Sequence, residues 1–267
     1  MWKYYQRPDV LWSISLGCWF IFWLFFPSLR LVTVIGLILH IPILIMGIWN
    51  LRLRFFCNTY FSASHEKKKI ALTFDDGPDP LLTPAILDIL NRYNFKATFF
   101  VVAQCVKHHP AIAQRIITDG HTIACHDLKH RATDNFRRKT RLIRDIREAN
   151  SIIASITGKY PRLYRPPVGL SNPHLRSALQ QLDMECIGWN RTLRDAGNRF
   201  IHRFKNMPKL VHPGSVILLH DILPNMENRE LFLKHFNELC SELSHHQLIT
   251  VGVETLFGIK AYRQIAD

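Results

Sequence analysis

The 267 residues contain no Cys-x-x-Cys pair, no internal repeat beyond a strand–helix rhythm and no low-complexity tract. Each absence removes a class of protein. Six cysteines stand far apart, at Cys18, Cys57, Cys105, Cys125, Cys186 and Cys240, in a chain too long to need a disulfide framework. Four of them lie in or beside apolar runs, so buried free thiols are expected, and with them a reducing compartment. Zinc-finger, RNA-binding and basic-zipper patterns are missing too, which argues against nucleic acid as a partner. Acidic residues are scarce, 21 against 34 lysines and arginines, for a formal charge of +13. Up to Glu66 the chain carries 5 basic and 2 acidic residues, leaving 29 and 19 from Lys67 onward. A basic surface of this kind suits anionic headgroups or an acidic substrate.

Charge is scarcest near the N-terminus. Residues 10–29, "VLWSISLGCWFIFWLFFPSL", run for 20 positions without a charge, and 31–51 run for 21 with His40 as the one ionisable group. Roughly 20 apolar residues cross a bilayer core as a helix. Neither segment offers a polar face, which disfavours a buried hairpin of a soluble fold. No small-residue cleavage site follows, which disfavours a secretory signal. Residues 1–51 therefore read as a membrane-anchoring helical hairpin, turning at Pro27 and Arg30. It is transmembrane or, given Pro42 and the short turn, re-entrant. Trp12 and Trp49 sit near its ends, where aromatic rings meet the interface. Lys3 and Arg7 flank its first apolar segment, and Arg52, Arg54, Lys67, Lys68 and Lys69 follow the second. The positive-inside rule then favours the cytoplasmic side of the inner membrane for both ends. Residues 52–66 read as a linker and 67–267 as the soluble domain.

From Ile70 onward short β-rich runs alternate with amphipathic stretches. Strands are expected over 70–74, 97–102, 121–126, 163–167, 184–189, 216–220 and 248–252. Thr83 and Pro84 read as the N-cap and first residue of a helix. A long helix is expected from about 134 to Thr157, stopped by Gly158, and a shorter one near 199–206. About seven strands with helical crossovers imply a parallel α/β fold, either an open doubly wound sheet or an incomplete (β/α) barrel. Polar residues gather at one end of these strands. Asp75 and Asp76 follow the first, His126 ends the third, and Arg165 lies late in the fourth. Trp189 ends the fifth, and His220 and Asp221 end the sixth. The carboxyl ends of parallel strands are where such folds place their active sites.

His126 and His130, four apart in "HDLKH", make with a carboxylate the two-histidine, one-carboxylate set of catalytic metal sites. Asp76 or Asp75 can complete it, leaving the other ionised nearby as a general base. The donor set suits Zn²⁺ first, with Co²⁺, Fe²⁺, Mn²⁺ or Ni²⁺ as alternatives.

"TFDDGP" (73–78), "HDLKH" (126–130), "RPPVG" (165–169) and "LLHD" (218–221), in that order, resemble the polysaccharide deacetylase family, the NodB-homology domain of carbohydrate esterases. The resemblance covers about residues 67–257. It implies a distorted, incomplete (β/α) barrel of about seven parallel strands, and metal-dependent hydrolysis of an N-acyl group on an amino sugar. By position, Asp75 resembles the catalytic base, and Asp76, His126 and His130 the metal ligands. Arg165 resembles the arginine that orients the base, His220 the general acid and Asp195 its acidic partner. Val168 stands where the family supplies a backbone N–H to the oxyanion, and Leu218 where the acyl methyl is held. Three positions depart from the pattern: Asp127 replaces a serine or threonine, Val168 a tyrosine and Ala196 a tryptophan.

With the hairpin, this implies an N-acetylated amino sugar in a lipid-linked or membrane-proximal glycan as substrate. A domain outside the membrane would instead suit peptidoglycan, and a degenerate member would be a glycan- or lipid-binding scaffold. No feature calls for an obligate protein partner. Arg137, Arg141 and Arg144 read as a basic stripe on the long helix, a solvated face with Asp145 and Glu148 as partners.

Overall fold

The computed structural model describes residues 8–193, 195, 201–223 and 226–264. Two apolar helices come first, α1 (Pro8–Phe25) and α2 (Arg30–Trp49), joined by a short 3-10 turn at Pro27–Leu29. Both are long and apolar enough to cross a membrane. They pack against each other, and His40 is buried between them, Nδ1 at 2.8 Å from the Gly36 carbonyl and Nε2 at 3.1 Å from Ser15 Oγ. Lys3 and Arg7, used above to orient the hairpin, lie outside the described residues.

The rest alternates as the pattern implies. In chain order come β1 (Thr59–Tyr60), β2 (Lys69–Asp75), α3 (Leu82–Arg92) and β3 (Ala97–Val101). Next are α4 (Ala103–His108), α5 (Pro110–Thr118), β4 (Thr122–Cys125) and α6 (Lys139–Thr157). Then follow β5 (Tyr160–Pro161), β6 (Leu163–Tyr164), α7 (Leu175–Gln181), β7 (Glu185–Ile187) and β8 (Arg191–Thr192). Finally come α8 (Ile201–Leu210), β9 (Val216–His220), α9 (Arg229–His245), β10 (Ile249–Thr250), α10 (Val253–Phe257) and β11 (Tyr262–Arg263).

The main sheet runs β1-β7-β6-β4-β3-β2-β9-β8, every pairing parallel, and curls into an incomplete barrel. The run at 248–252 does not extend that path: β10 pairs with the first residues of β2, Ile249 beside Lys69 and Thr250 beside Ile70. Residues 52–66 are built into the barrel. They carry the edge strand β1, and Phe55, Phe56 and Cys57 are buried. An antiparallel bridge from Ser62 to Ser215 ties the chain after β1 to the entry of β9.

Strand alternation sorts the core into two layers. Ile70, Leu72 and Phe74 of β2 and Ile217 and Leu219 of β9 face the helices, in the larger apolar cluster. Ala71, Val216, Phe100 and Ala124 face the barrel axis, in the smaller one. The same two-residue period carries Thr73 and Asp75, Leu218 and His220 onto the inner face. The inner layer is thus apolar at the bottom of the barrel and ionisable at the top.

Two expected caps differ. Helix α3 starts at Leu82, and the Asp79 carboxylate accepts the N–H groups of Leu81 at 2.8 Å and Leu82 at 2.6 Å. Thr83 is instead buried, its hydroxyl accepting from the Asp79 N–H and donating to Asp221 Oδ2. Helix α6 starts at Lys139 rather than near 134, because 132–136 form a separate 3-10 turn, and it ends at Gly158 with φ 68°.

Candidate active site

The C-terminal end of β2 delivers both aspartates, and backbone geometry sends them different ways. Asp75 continues the strand, buried beside His220 in the β2–β9 register. Asp76 turns at φ 81°, a left-handed conformation that swings its carboxylate off the strand axis. Gly77 closes the turn with its N–H on Asp221 Oδ1 at 2.9 Å; a Cβ there would stand 2.1 Å from Asp221 Oδ2. Burial pushes the Asp221 carboxyl up to about 7, with the charge of Asp76 adding to the rise. Asp221 therefore supports the loop from below.

Asp76 faces the histidines. Its Oδ1 stands 3.3 Å from His126 Nε2 and 3.1 Å from His130 Nε2, and the three ligand atoms lie within 4.8 Å of one another. The residues are not on a helix; left-handed φ values of 102° at Asp127 and 51° at His130 fold the loop back. His126 Nδ1 donates to the Arg165 carbonyl at 2.9 Å, which leaves the lone pair on Nε2. Asp76 Oδ1 is buried and has no hydrogen-bond donor. Two imidazole nitrogens and an orphaned carboxylate oxygen converging on one point fit a cation. Ligand atoms about 2.1 Å from one tetrahedral ion stand ~3.4 Å apart, close to the spacing seen. Burial works to raise the Asp76 carboxyl, but His126, then His130 and His220, hold it down at about 2.

Arg165 fills the barrel axis. It is fully buried, and Nη1 donates to Asp75 Oδ1 at 2.6 Å and to Thr73 Oγ1 at 2.9 Å. Nε and Nη2 donate to the carbonyls of Ile187 at 3.2 Å and Gly188 at 3.0 Å. Its guanidinium stacks 4.0 Å over the Phe100 ring and 5.5 Å from the Trp189 ring. Trp189, two residues past β7, presses on Gly169, where a Cβ would meet its Cη2 at 2.2 Å. Before Gly169, Val168 adopts φ 59°, an unusual conformation for a β-branched residue, and no acceptor among the described residues pairs with its N–H.

At the end of β9, His220 Nδ1 donates to Asp195 Oδ1 at 2.8 Å while its backbone N–H donates to Asp195 Oδ2 at 2.6 Å. Burial works to lower the His220 pKa, but the bond and charge of Asp195, with Asp75 and Asp76 behind, raise it to about 9. Leu218, two residues earlier on the same inner face, is buried. Ala196, the third departure from the family pattern, lies outside the described residues.

Two supports of this site were not legible as such in the sequence. Arg137 is not on a helix stripe: it precedes α6, is buried, and binds Asp127 through both Nη atoms, Nη1 reaching Asp127 Oδ1 at 3.2 Å and Asp145 Oδ2 at 2.9 Å. The substituted anion at Asp127 requires a cation, and Arg137 supplies it; that was the available signal. Asn135 Nδ2 donates to the Pro167 carbonyl at 3.1 Å, tying the histidine loop to the Val168 turn.

The polysaccharide deacetylase family profile matches residues 62–187. The peptidoglycan-N-acetylglucosamine deacetylase of Bacillus cereus is 32% identical over 160 residues, spanning 59% of this chain and 74% of that protein. The peptidoglycan-N-acetylmuramic acid deacetylase PdaC of Bacillus subtilis is 36% identical over 202 residues, 74% of this chain but 40% of PdaC. A solved peptidoglycan N-acetylglucosamine deacetylase, bound to 4-naphthalen-1-yl-N-oxidanyl-benzamide, superposes with a TM-score of 0.69 at 27% identity, over 76% of this chain and 94% of that one. Sequence, fold and profile agree: this chain belongs to the polysaccharide deacetylase family, hydrolases of carbon–nitrogen bonds.

Proposed function

We propose that the protein is a membrane-anchored deacetylase that hydrolyses the N-acetyl group of an amino sugar in a lipid-linked or membrane-proximal glycan. The observation that carries the reading is the convergence, at one end of the barrel, of an Arg165-paired Asp75, an Asp195-paired His220 and the Asp76–His126–His130 cluster. Asp76, His126 and His130 would hold a divalent cation, Zn²⁺ by donor type, which when bound supplies Lewis acidity toward water and the amide oxygen.

The protein's own groups do the rest. Asp75, oriented by Arg165, takes a proton from the attacking water. The Val168 N–H, without an acceptor among the described residues, donates to the oxyanion. His220, protonated below about pH 9 through Asp195, gives a proton to the departing amine. Water adds to the acyl carbon, the C–N bond breaks, and acetate and a free amine leave. Leu218 contributes an apolar wall suited to the acetyl methyl.

The two apolar helices support anchoring in the inner membrane, and the arginines after α2 support a cytoplasmic barrel. Digestion of the barrel by protease added outside intact cells would overturn that side and favour peptidoglycan. Activity is tested on full-length protein in detergent with N-acetylamino-sugar lipids and chitooligosaccharides. Mass spectrometry follows acetyl loss, with Asp75→Asn and chelator-treated protein as controls. Acetyl loss absent in both controls supports the reading; no bound metal and no acetate release would make the protein a binding scaffold.

A further inference from the structure

Helix α2 ends on the barrel. Ser171 Oγ donates to the Gly47 carbonyl at 2.8 Å and the Ser171 N–H to the Ile48 carbonyl at 2.9 Å, so the barrel itself caps two carbonyls of the helix's last turn. Arg176 pairs with Asp9 of α1 at 3.3 Å. The Phe55 ring lies against Gly47, where a Cβ would be 2.6 Å from it. These contacts fix the hairpin against the segment that carries Val168 and Gly169.

Between them lies a groove of about 460 Å³, with Met46, Trp49 and Arg52 on the hairpin side and Gly169, Trp189 and Thr192 on the barrel side. Trp189 is shared: its ring lies 5.5 Å from the guanidinium that holds Asp75. Trp49 is 66% exposed and Met46 57% exposed. Arg52 is exposed and makes no ion pair among the described residues.

We infer that this groove is a subsite for the phosphate-bearing end of a lipid-linked N-acetylated amino sugar, with Arg52 on the phosphate and Trp49 and Trp189 flanking the sugar. The inference rests on the membrane-anchored deacetylase reading and names its substrate class. The apolar span ends at Trp49 and arginines follow, so the groove lies at headgroup level. A ligand whose hydrocarbon tail lies in the bilayer presents its first polar atoms at this height. Its tail would run beside the exposed apolar face of α2, and its sugar would extend past Trp189 towards Asp75. The volume suits one sugar ring and a phosphate.

The test uses full-length protein in lipid nanodiscs with two substrates: an N-acetylhexosaminyl phosphopolyprenol, and the same sugar joined to the same alcohol as a neutral glycoside. The phosphorylated substrate is expected to have about tenfold higher kcat/KM, carried in KM. Arg52→Gln should abolish that preference, and Arg52→Lys should keep most of it. Equal kcat/KM for the two lipids, or an equal loss on both in Arg52→Gln, overturns the inference. Turnover of soluble chitooligosaccharide alone leaves the deacetylase standing and overturns the groove. Should nothing be turned over, the deacetylase reading fails, and photo-crosslinking with a diazirine-bearing phosphopolyprenyl sugar decides the groove by itself. Crosslinks at residues 46–52 that weaken in Arg52→Gln uphold it; crosslinks elsewhere overturn it.

Discussion

Replacing Arg137 with methionine tests whether the histidine loop is held by a buried ion network. Asp127 is completely buried, and Arg137 is the one cation bound to it among the described residues. Asp145 differs, because Arg144 stays at 3.0 Å and Arg141 at 3.6 Å when Arg137 is removed. The uncompensated charge is therefore that of Asp127, between the two histidines proposed as metal ligands. Removing one partner of a buried pair costs ~3–5 kcal/mol. For a domain of this size that lowers Tm by about 6–20 °C. Asp127→Ser alone leaves Arg137 its bonds to Asp145 and the Asp134 carbonyl, so its cost is expected to be smaller. In the double variant both charges are gone, and coupling of about 2 kcal/mol is expected between the sites. Thermal unfolding of the four proteins in one detergent measures it, with zinc affinity as a second readout, expected to fall about 10–100-fold in Arg137→Met. Additive single effects, or a Tm for Arg137→Met within about 2 °C of wild type, would refute the reasoning.

Further outcomes follow from the site. His220 must carry a proton to act as an acid, so kcat/KM should fall as pH rises through about 9. Asp195→Asn removes the group that raises this pKa and should move that limb to lower pH in a pH–rate profile. The same raised pKa adds stability that is full below the unfolded histidine value and is lost as pH rises through about 9. Zinc at one hundred times its Kd should add ~2.7 kcal/mol to wild-type stability, and Asp76→Ala should abolish both that Tm gain and the zinc found by elemental analysis. Gly169→Ala combines a left-handed φ of 68° with a Cβ 2.2 Å from Trp189, so kcat should drop by about tenfold or more through displacement of the Val168 turn. Unchanged kcat in that variant would separate the Trp189 contact from catalysis.

The sequence by itself determined the rhythm of the fold and which polar residues gather at one end of its strands. Alternation of β-rich and amphipathic runs follows from local periodicity, and a parallel sheet with helical crossovers follows from that alternation. The gathering of Asp75, His126, Arg165 and His220 at one end of the strands was legible in the run order, whereas the inner face shared by Thr73, Asp75, Leu218 and His220 came from the β2–β9 register. The pairing of His126 and His130 with an aspartate was suggested by their spacing, and the structure brings them together with Asp76. Long uncharged runs likewise marked α1 and α2, since length and apolarity are local properties.

Only the tertiary structure decided what long-range contacts decide. Arg137 has the spacing of a helix stripe with Arg141 and Arg144, yet it is buried before the helix begins, because the anion it neutralises comes from a different loop. Thr83 looked like a cap and instead anchors Asp221, 138 residues away in the chain. Residues 52–66 looked like a linker because a two-residue edge strand leaves no periodic signal, and its pairing with β7 is a fact of the folded sheet. The docking of α2 beside Trp189 was equally out of reach. Hydropathy reports that a helix prefers lipid, whereas where its end comes to rest depends on Ser171 and Arg176, residues that meet it only once the barrel has formed.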